Sequence, residues 1–179
     1  MTFTLTLTGE DAPLAIIDDF NDFDPAINFL GLDTAAGWPD VLGGDIEADY
    51  DEAINTYGAD ISNNSIGTNL AQNGFPCEWE GDYGATSMLI DAIVRGSLGA
   101  PMRIIWANGN ERGNGRCGSL YNTTAPPACA KNHITIGALN SNDDSMTSFS
   151  SWGPTDDGRI KPDVSAPGCQ SDGDGGVTS

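Results

Sequence analysis

The sequence predicts an α/β fold: a mostly parallel sheet, doubly wound, with helices on both faces. Three observations carry this. Apolar residues recur at helical spacing in two segments, 47–57 and 83–98. Each is followed by a short run of branched or aromatic residues, at 59–65 and 102–107. Helix and strand then alternate, and a helical crossover is what joins parallel strands.

The elements follow in order. Met1 to Thr8 alternates like a strand and lacks the basic start and continuous apolar stretch of a signal peptide. Leu14-Ala15-Ile16-Ile17-Asp18 also reads as a strand. From Glu47 to Tyr57, Ala48, Tyr50, Ala53, Ile54 and Tyr57 form one apolar stripe, acids take the other face, and Gly58 is the stop. Ala59 to Ser65 is a strand and Leu70 to Asp82 a polar loop. Tyr83 to Leu98 is a second helix, and Met102 to Ala107 the next strand. Gly113 to Pro127 is a long irregular loop, residues 133 to 138 another strand, and Gln170 to Gly176 a flexible loop by composition.

The chain has 179 residues, enough for one domain core. Its net charge is −19, and no Lys or Arg precedes Arg95. Nucleic acid is therefore excluded as a partner, because phosphate contacts need a basic surface. Anionic membranes are disfavoured for the same reason, and no apolar stretch is long enough to span a bilayer. Asp18, Asp19, Asp22 and Asp24 offer carboxylates to a hard cation, but they lack the EF-hand loop pattern and read as a solvated acidic loop.

The chemistry centres on Ile104-Ile105-Trp106-Ala107-Asn108-Gly109-Asn110-Glu111. An apolar strand ends abruptly in a small-residue turn carrying a side-chain amide. Strand ends are where open α/β sheets place ligands. An amide there can donate to a developing oxyanion without needing a counterion. Asn-Gly pairs are also ordinary turn formers, so this run does not stand alone.

It is joined by Ala59-Asp60-Ile61-Ser62-Asn63-Asn64-Ser65-Ile66-Gly67 and Asn132-His133-Ile134-Thr135-Ile136-Gly137-Ala138. Phe149-Ser150-Ser151-Trp152-Gly153-Pro154 and Lys161-Pro162-Asp163-Val164-Ser165-Ala166-Pro167-Gly168 follow. In this order and spacing the segments resemble the subtilisin-like serine proteases (subtilases), over about residues 43 to 168. They are similar to that family's S-[LIW]-G substrate-binding edge, A-A-G-N oxyanion turn, V-I-T-V-G-A strand, F-S-S-x-G-P turn and P-D-V-x-A-P-G segment. The resemblance divides the chain into an unmatched acidic segment, 1–42, and a partial catalytic domain, 43–179.

The resemblance implies a serine-type endopeptidase acting on polypeptides, secreted, with its signal upstream of this sequence. A monomer is the expected state. No organic cofactor is implied; a structural calcium is compatible with the family, with no site located. Asn110 takes the oxyanion-hole role. Ser65, Ile66 and Gly67 form one wall of the pocket for the side chain preceding the scissile bond. Ala107, Asn108 and Gly109 form the other wall, and Ala125 the base. Uncharged walls lead us to expect large apolar or aromatic guests. The bond before Pro127 is expected to be cis, as before the family's Pro-Ala. Asp163 and Asn63 take structural roles, and His133 that of a core or edge histidine.

Other family features are missing. The single histidine, His133, lies outside any H-G-T-H motif, and no G-T-S-M occurs. Ser179 lacks the preceding Gly and following Met of the nucleophile motif. Asp18 reads as a look-alike of the triad Asp. The expectation is a fragment lacking the His and Ser of the triad, and inactive by itself. The alternatives are a non-catalytic pseudoprotease or secreted peptide-binding module, and an acidic calcium-dependent structural module. The cysteines are Cys77, Cys117, Cys129 and Cys169. None has C-x-x-C spacing or an adjacent His, and an even count in an extracellular protease favours disulfides. Three complete pairings exist; Cys117 with Cys129, flanking one irregular loop, is the expected one.

Overall fold

The computed structural model describes residues 46–114, 116–117 and 120–169, with the backbone alone at 14–17 and 169. Met1 to Thr8, the four aspartates at 18 to 24, Gln170 to Gly176 and Ser179 lie outside the described residues.

Five strands form one sheet: β1 Leu14–Ile17, β2 Ile61–Asn64, β3 Arg103–Ala107, β4 Ile134–Asn140 and β5 Val164–Cys169. They lie side by side in chain order and every pairing is parallel. Asn64 pairs with Trp106 and Ala107 with Ile136, so β2, β3 and β4 end at one edge. Helix α1, Ile46–Asn55, connects β1 to β2, and α3, Ala85–Val94, connects β2 to β3. Between β2 and α3 lie the short helix α2, Leu70–Asn73, and a 3₁₀ turn, Cys77–Trp79. The sequence reads that segment as loop throughout. One-turn helices carry too little periodicity to be seen.

The acids Glu47 and Asp49 in the first turn of α1 suit its positive dipole end. Gly58, at φ 66°, turns the chain out of it. Tyr50, Ala53 and Ile54 of α1 and Ile90 and Ile93 of α3 join Met102, Ile104 and Trp106 in the core. Ile104 and Trp106 alternate onto one face of β3. On the opposite face Ile105 and Ile136 are half-buried, and Asn63 and Ile134 exposed. That face carries little cover among the described residues.

The buried polar groups around Tyr50 are hydrogen-bonded to one another. The Tyr50 hydroxyl donates to Asn64 Oδ1 at 2.9 Å and lies 3.0 Å from Ser62 Oγ. Burial raises its proton affinity, so the phenol stays neutral. Asn64 Nδ2 donates to the Ile105 carbonyl at 2.8 Å, so Asn64 holds β2 to β3. Asn63, to which the sequence gives a structural role, is exposed instead; its neighbour takes the inward place. Asp91 of α3, 6% exposed, accepts the Lys131 and Asn132 N–H groups and the Tyr83 hydroxyl. It thereby pins the turn that enters β4.

His133 is a core residue, edge-on to Trp106. Thr135 Oγ1 donates to the Ala128 carbonyl at 3.2 Å, which uses its one proton. The 3.1 Å contact between Thr135 Oγ1 and His133 Nε2 therefore has the imidazole as donor. Lys161 Nζ donates to Thr135 Oγ1 at 3.0 Å and to Asp163 Oδ2 at 2.7 Å. Asp163 also accepts the Thr135 N–H at 2.7 Å, the structural role the sequence assigns to it.

Burial first, and then the Lys161 ammonium, push the His133 imidazole down from 6.5 to about 4. Between those values the unfolded chain binds a proton that the folded chain refuses. Stability is thus fully present above about 6.5 and falls as pH drops toward 4, by roughly 3 kcal/mol. Urea unfolding at pH 7, 6 and 5 should show this loss, and His133→Gln should flatten the curve. A variant as pH-dependent as the parent would refute the assignment.

Candidate active site

Three segments of the predicted site meet at the carboxyl edge of the sheet. Ser65-Ile66-Gly67 continues β2, and Ala107-Asn108-Gly109-Asn110 continues β3 beside it. Ser65 is exposed, Ile66 buried, and Gly67, Ala107 and Gly109 half-buried. Ala125, 9% exposed, is brought in by two bonds from its neighbours. Thr124 Oγ1 donates to Asn108 Oδ1 at 3.1 Å, and Thr68 Oγ1 donates to the Pro126 carbonyl. The Pro126-Pro127 bond is cis, as expected. Gly153-Pro154 and Lys161-Pro162 are cis as well, which the sequence does not reveal.

Asn108 is the hub of this arrangement. It is 1% exposed; its N–H donates to the Ile136 carbonyl at 2.9 Å, and its Nδ2 to the Ser151 carbonyl. Its side chain is therefore spent inside the fold. Gly109 sits at φ 100°, where a side chain is strained, and a Cβ there would meet Ser151 Oγ at 3.1 Å.

Asn110 is exposed, and its side-chain amide has no hydrogen bond among the described residues. Its backbone is fixed on both sides by one residue. The Ser151 N–H donates to the Gly109 carbonyl at 2.9 Å, and Ser151 Oγ accepts the Glu111 N–H at 2.9 Å. Ser151 is a positioning residue that the sequence reading did not single out, although it stands in the Phe149-Ser150-Ser151 turn. Ser150 does the same for β4, its Oγ accepting the Ala138 N–H at 3.0 Å.

The cysteine pairing differs from the expectation. Cys77 is bonded to Cys117, with Cα atoms 5.5 Å apart. Cys129 is a buried free thiol. It lies in the tight turn after cis Pro127 and points inward, donating to the Thr124 carbonyl at 3.3 Å. Burial pushes that thiol up to about 12, so it is inert as a nucleophile. Proximity in sequence misled here, because the irregular loop turns its start toward the 3₁₀ turn and its end into the core.

Among the described residues no group of three or more His, Cys, Asp or Glu is placed to hold a metal ion. No helix of the described residues is long and apolar enough to cross a membrane.

The carboxyl edge of the parallel sheet thus carries an exposed side-chain amide, Asn110, beside small-residue segments at 65–67 and 107–109. The sequence profile of the subtilase family matches residues 26–179, and the chain belongs to that family. It is 45% identical over 60 residues to the serine protease AprX of Bacillus subtilis (strain 168), covering 30% of this chain and 14% of AprX. Among solved structures it is similar to the psychrophilic subtilisin-like protease Apa1 of the Antarctic psychrotroph Pseudoalteromonas sp. AS-11. The TM-score is 0.46 at 18% identity, over 70% of this chain and 22% of that one. It is also similar to the prenylagaramide maturation protease PagA. There the TM-score is 0.45 at 23% identity, over 69% of this chain and 36% of that one. The chain thus spans well under half the length of each of these relatives.

Proposed function

We propose that these residues supply the substrate groove and one oxyanion donor of a serine-type endopeptidase of the subtilisin type. The observation that carries this is the Asn110 turn. A free side-chain amide stands at the carboxyl end of a parallel strand, its backbone clamped by Ser151 on either side. Such a donor stabilises the tetrahedral oxyanion without reorganising during the reaction. Ser65-Ile66-Gly67 and Ala107-Asn108-Gly109 offer backbone edges to which an extended polypeptide can pair as an added strand. Ala125 closes the space between them.

The base and nucleophile of the triad come from outside these residues. His133 is buried and hydrogen-bonded inside the core, away from the Asn110 turn. The 179-residue chain by itself therefore leaves peptides intact. The enzyme acts as a secreted monomer on polypeptide substrates, with no organic cofactor; a structural calcium, if bound, is held outside the described residues. The test is a chromogenic peptide assay, with and without a fluorophosphonate that labels serine nucleophiles. It compares residues 1–179 with the same residues in the natural flanking sequence. Fluorophosphonate-sensitive turnover only in the longer protein is expected. Turnover by residues 1–179 refutes the division of labour, and intact flanks without any labelling refute the peptidase reading.

A further inference from the structure

We propose that Arg112 is a positioning residue for the oxyanion donor, locking the Asn110 turn onto the 147–152 segment through three successive main-chain carbonyls. This rests on the peptidase reading, because the group it places is the Asn110 amide.

Arg112 stands two residues past Asn110 and is half-buried. Its backbone N–H donates to the Phe149 carbonyl at 3.3 Å. Its Nε donates to the Ser148 carbonyl at 3.2 Å, and its Nη2 to the Thr147 carbonyl. One residue thus serves the carbonyls of 147, 148 and 149. Its guanidinium carbon also lies 4.1 Å from the centre of the Trp152 ring, so the same segment holds the cation by an aromatic face. Ordering so long a side chain costs conformational entropy, which these contacts together offset. In a chain of net charge −19 the fork is turned to neutral carbonyls. A planar guanidinium can hold two carbonyls and stack on a ring at once; a lysine ammonium is a point donor without the plane.

The 147–152 segment is in turn the clip that holds the donor. Ser151 takes the Gly109 carbonyl and the Glu111 N–H, and its own carbonyl accepts Asn108 Nδ2. On the other side the segment is tied to β4. The Thr147 N–H donates to the Ala138 carbonyl at 3.1 Å, and Ser150 Oγ accepts the Ala138 N–H at 3.0 Å. Ser151 can fix Asn110 only as firmly as this segment is itself fixed. Arg112 closes the ring from the chain just beyond the donor. The stretch needs that closure, because Gly109 and Gly113, at φ 100° and 72°, flank it and give it little stiffness of their own. A donor amide has to meet the oxyanion without reorganising, and a displacement of about 1 Å is enough to cost much of its effect.

The test is made in the protein with its natural flanks. Arg112→Ala is expected to lower kcat on a chromogenic peptide by roughly tenfold, with KM little changed. Arg112→Lys keeps the charge and loses the fork, and should fall as far. Parental kcat in Arg112→Lys overturns the inference, because charge and not geometry would then be the requirement. The same replacement is next made in an Asn110→Ala background. There Arg112→Ala should cost little more, since the group it positions is gone. A second tenfold loss in that background overturns the inference by showing a structural role independent of the donor. Amide hydrogen exchange gives a readout apart from turnover: the Glu111 and Ser151 N–H groups should exchange roughly tenfold faster in Arg112→Ala. Unchanged exchange overturns the clamp. If thermal melts show that Arg112→Ala does not fold, Arg112→Lys carries both the kinetic and the exchange comparison. A parent protein without turnover sinks the peptidase reading alone, and exchange then still decides whether Arg112 holds the turn.

Discussion

Asn110→Ala in the protein with its natural flanks should lower kcat by roughly 10²–10³ and leave KM little changed, a magnitude taken over from subtilisin, where it was established for the equivalent donor. The reasoning is that the amide is uncommitted in the free protein and meets its partner only when negative charge develops on the substrate oxygen. A group that stabilises the transition state and not the bound substrate acts on kcat. Steady-state kinetics on a chromogenic peptide decide it. Ser151→Ala is the informative companion, because it removes the acceptor of the Glu111 N–H while leaving the amide in place. It should lower kcat by a smaller factor, by loosening the turn. A rise in KM with unchanged kcat for Asn110→Ala would mean that the amide binds ground-state substrate and is no oxyanion donor.

The second large effect concerns the Cys77–Cys117 bridge. It closes a loop of 40 residues, which by the chain-entropy argument stabilises the fold by about 4 kcal/mol. That loop runs from the 3₁₀ turn through α3 and β3 to the segment past Asn110, so it encloses Ala107-Asn108-Gly109. Double replacement of Cys77 and Cys117 by Ser should lower the unfolding free energy by that amount and move the denaturation midpoint down accordingly. It should also weaken peptide turnover more than replacement of Cys129, which makes no bridge. Chemical denaturation of the two variants, each against the parent, is the measurement. A double variant as stable as the parent would mean that the unfolded chain gains little freedom when the bridge is lost.

Much of the fold was legible in the primary structure because its signals are local. The stripe of Tyr50, Ala53 and Ile54 marks α1, and the run of Ile104, Ile105 and Trp106 marks β3. Their alternation implies parallel pairing, since no short turn can join parallel strands. The Asn110 turn was readable for the same reason: the abrupt change from bulky to small residues needs no knowledge of distant partners. Pro127 was readable only through resemblance, and the cis bonds before Pro154 and Pro162 left no local sign at all.

What the sequence by itself determined is the order of elements and the class of fold, each encoded by neighbours along the chain. Tertiary structure alone decided which cysteine meets which, which of Asn63 and Asn64 turns inward, and that Ser151 clamps both sides of Asn110. It alone decided that two glutamates from separate loops, Glu80 and Glu111, are buried. The physical reason is the same in every case. Burial, hydrogen-bond satisfaction and charge depend on what the folded chain brings within a few ångströms, and a residue pattern carries that information only where the partners are near in sequence.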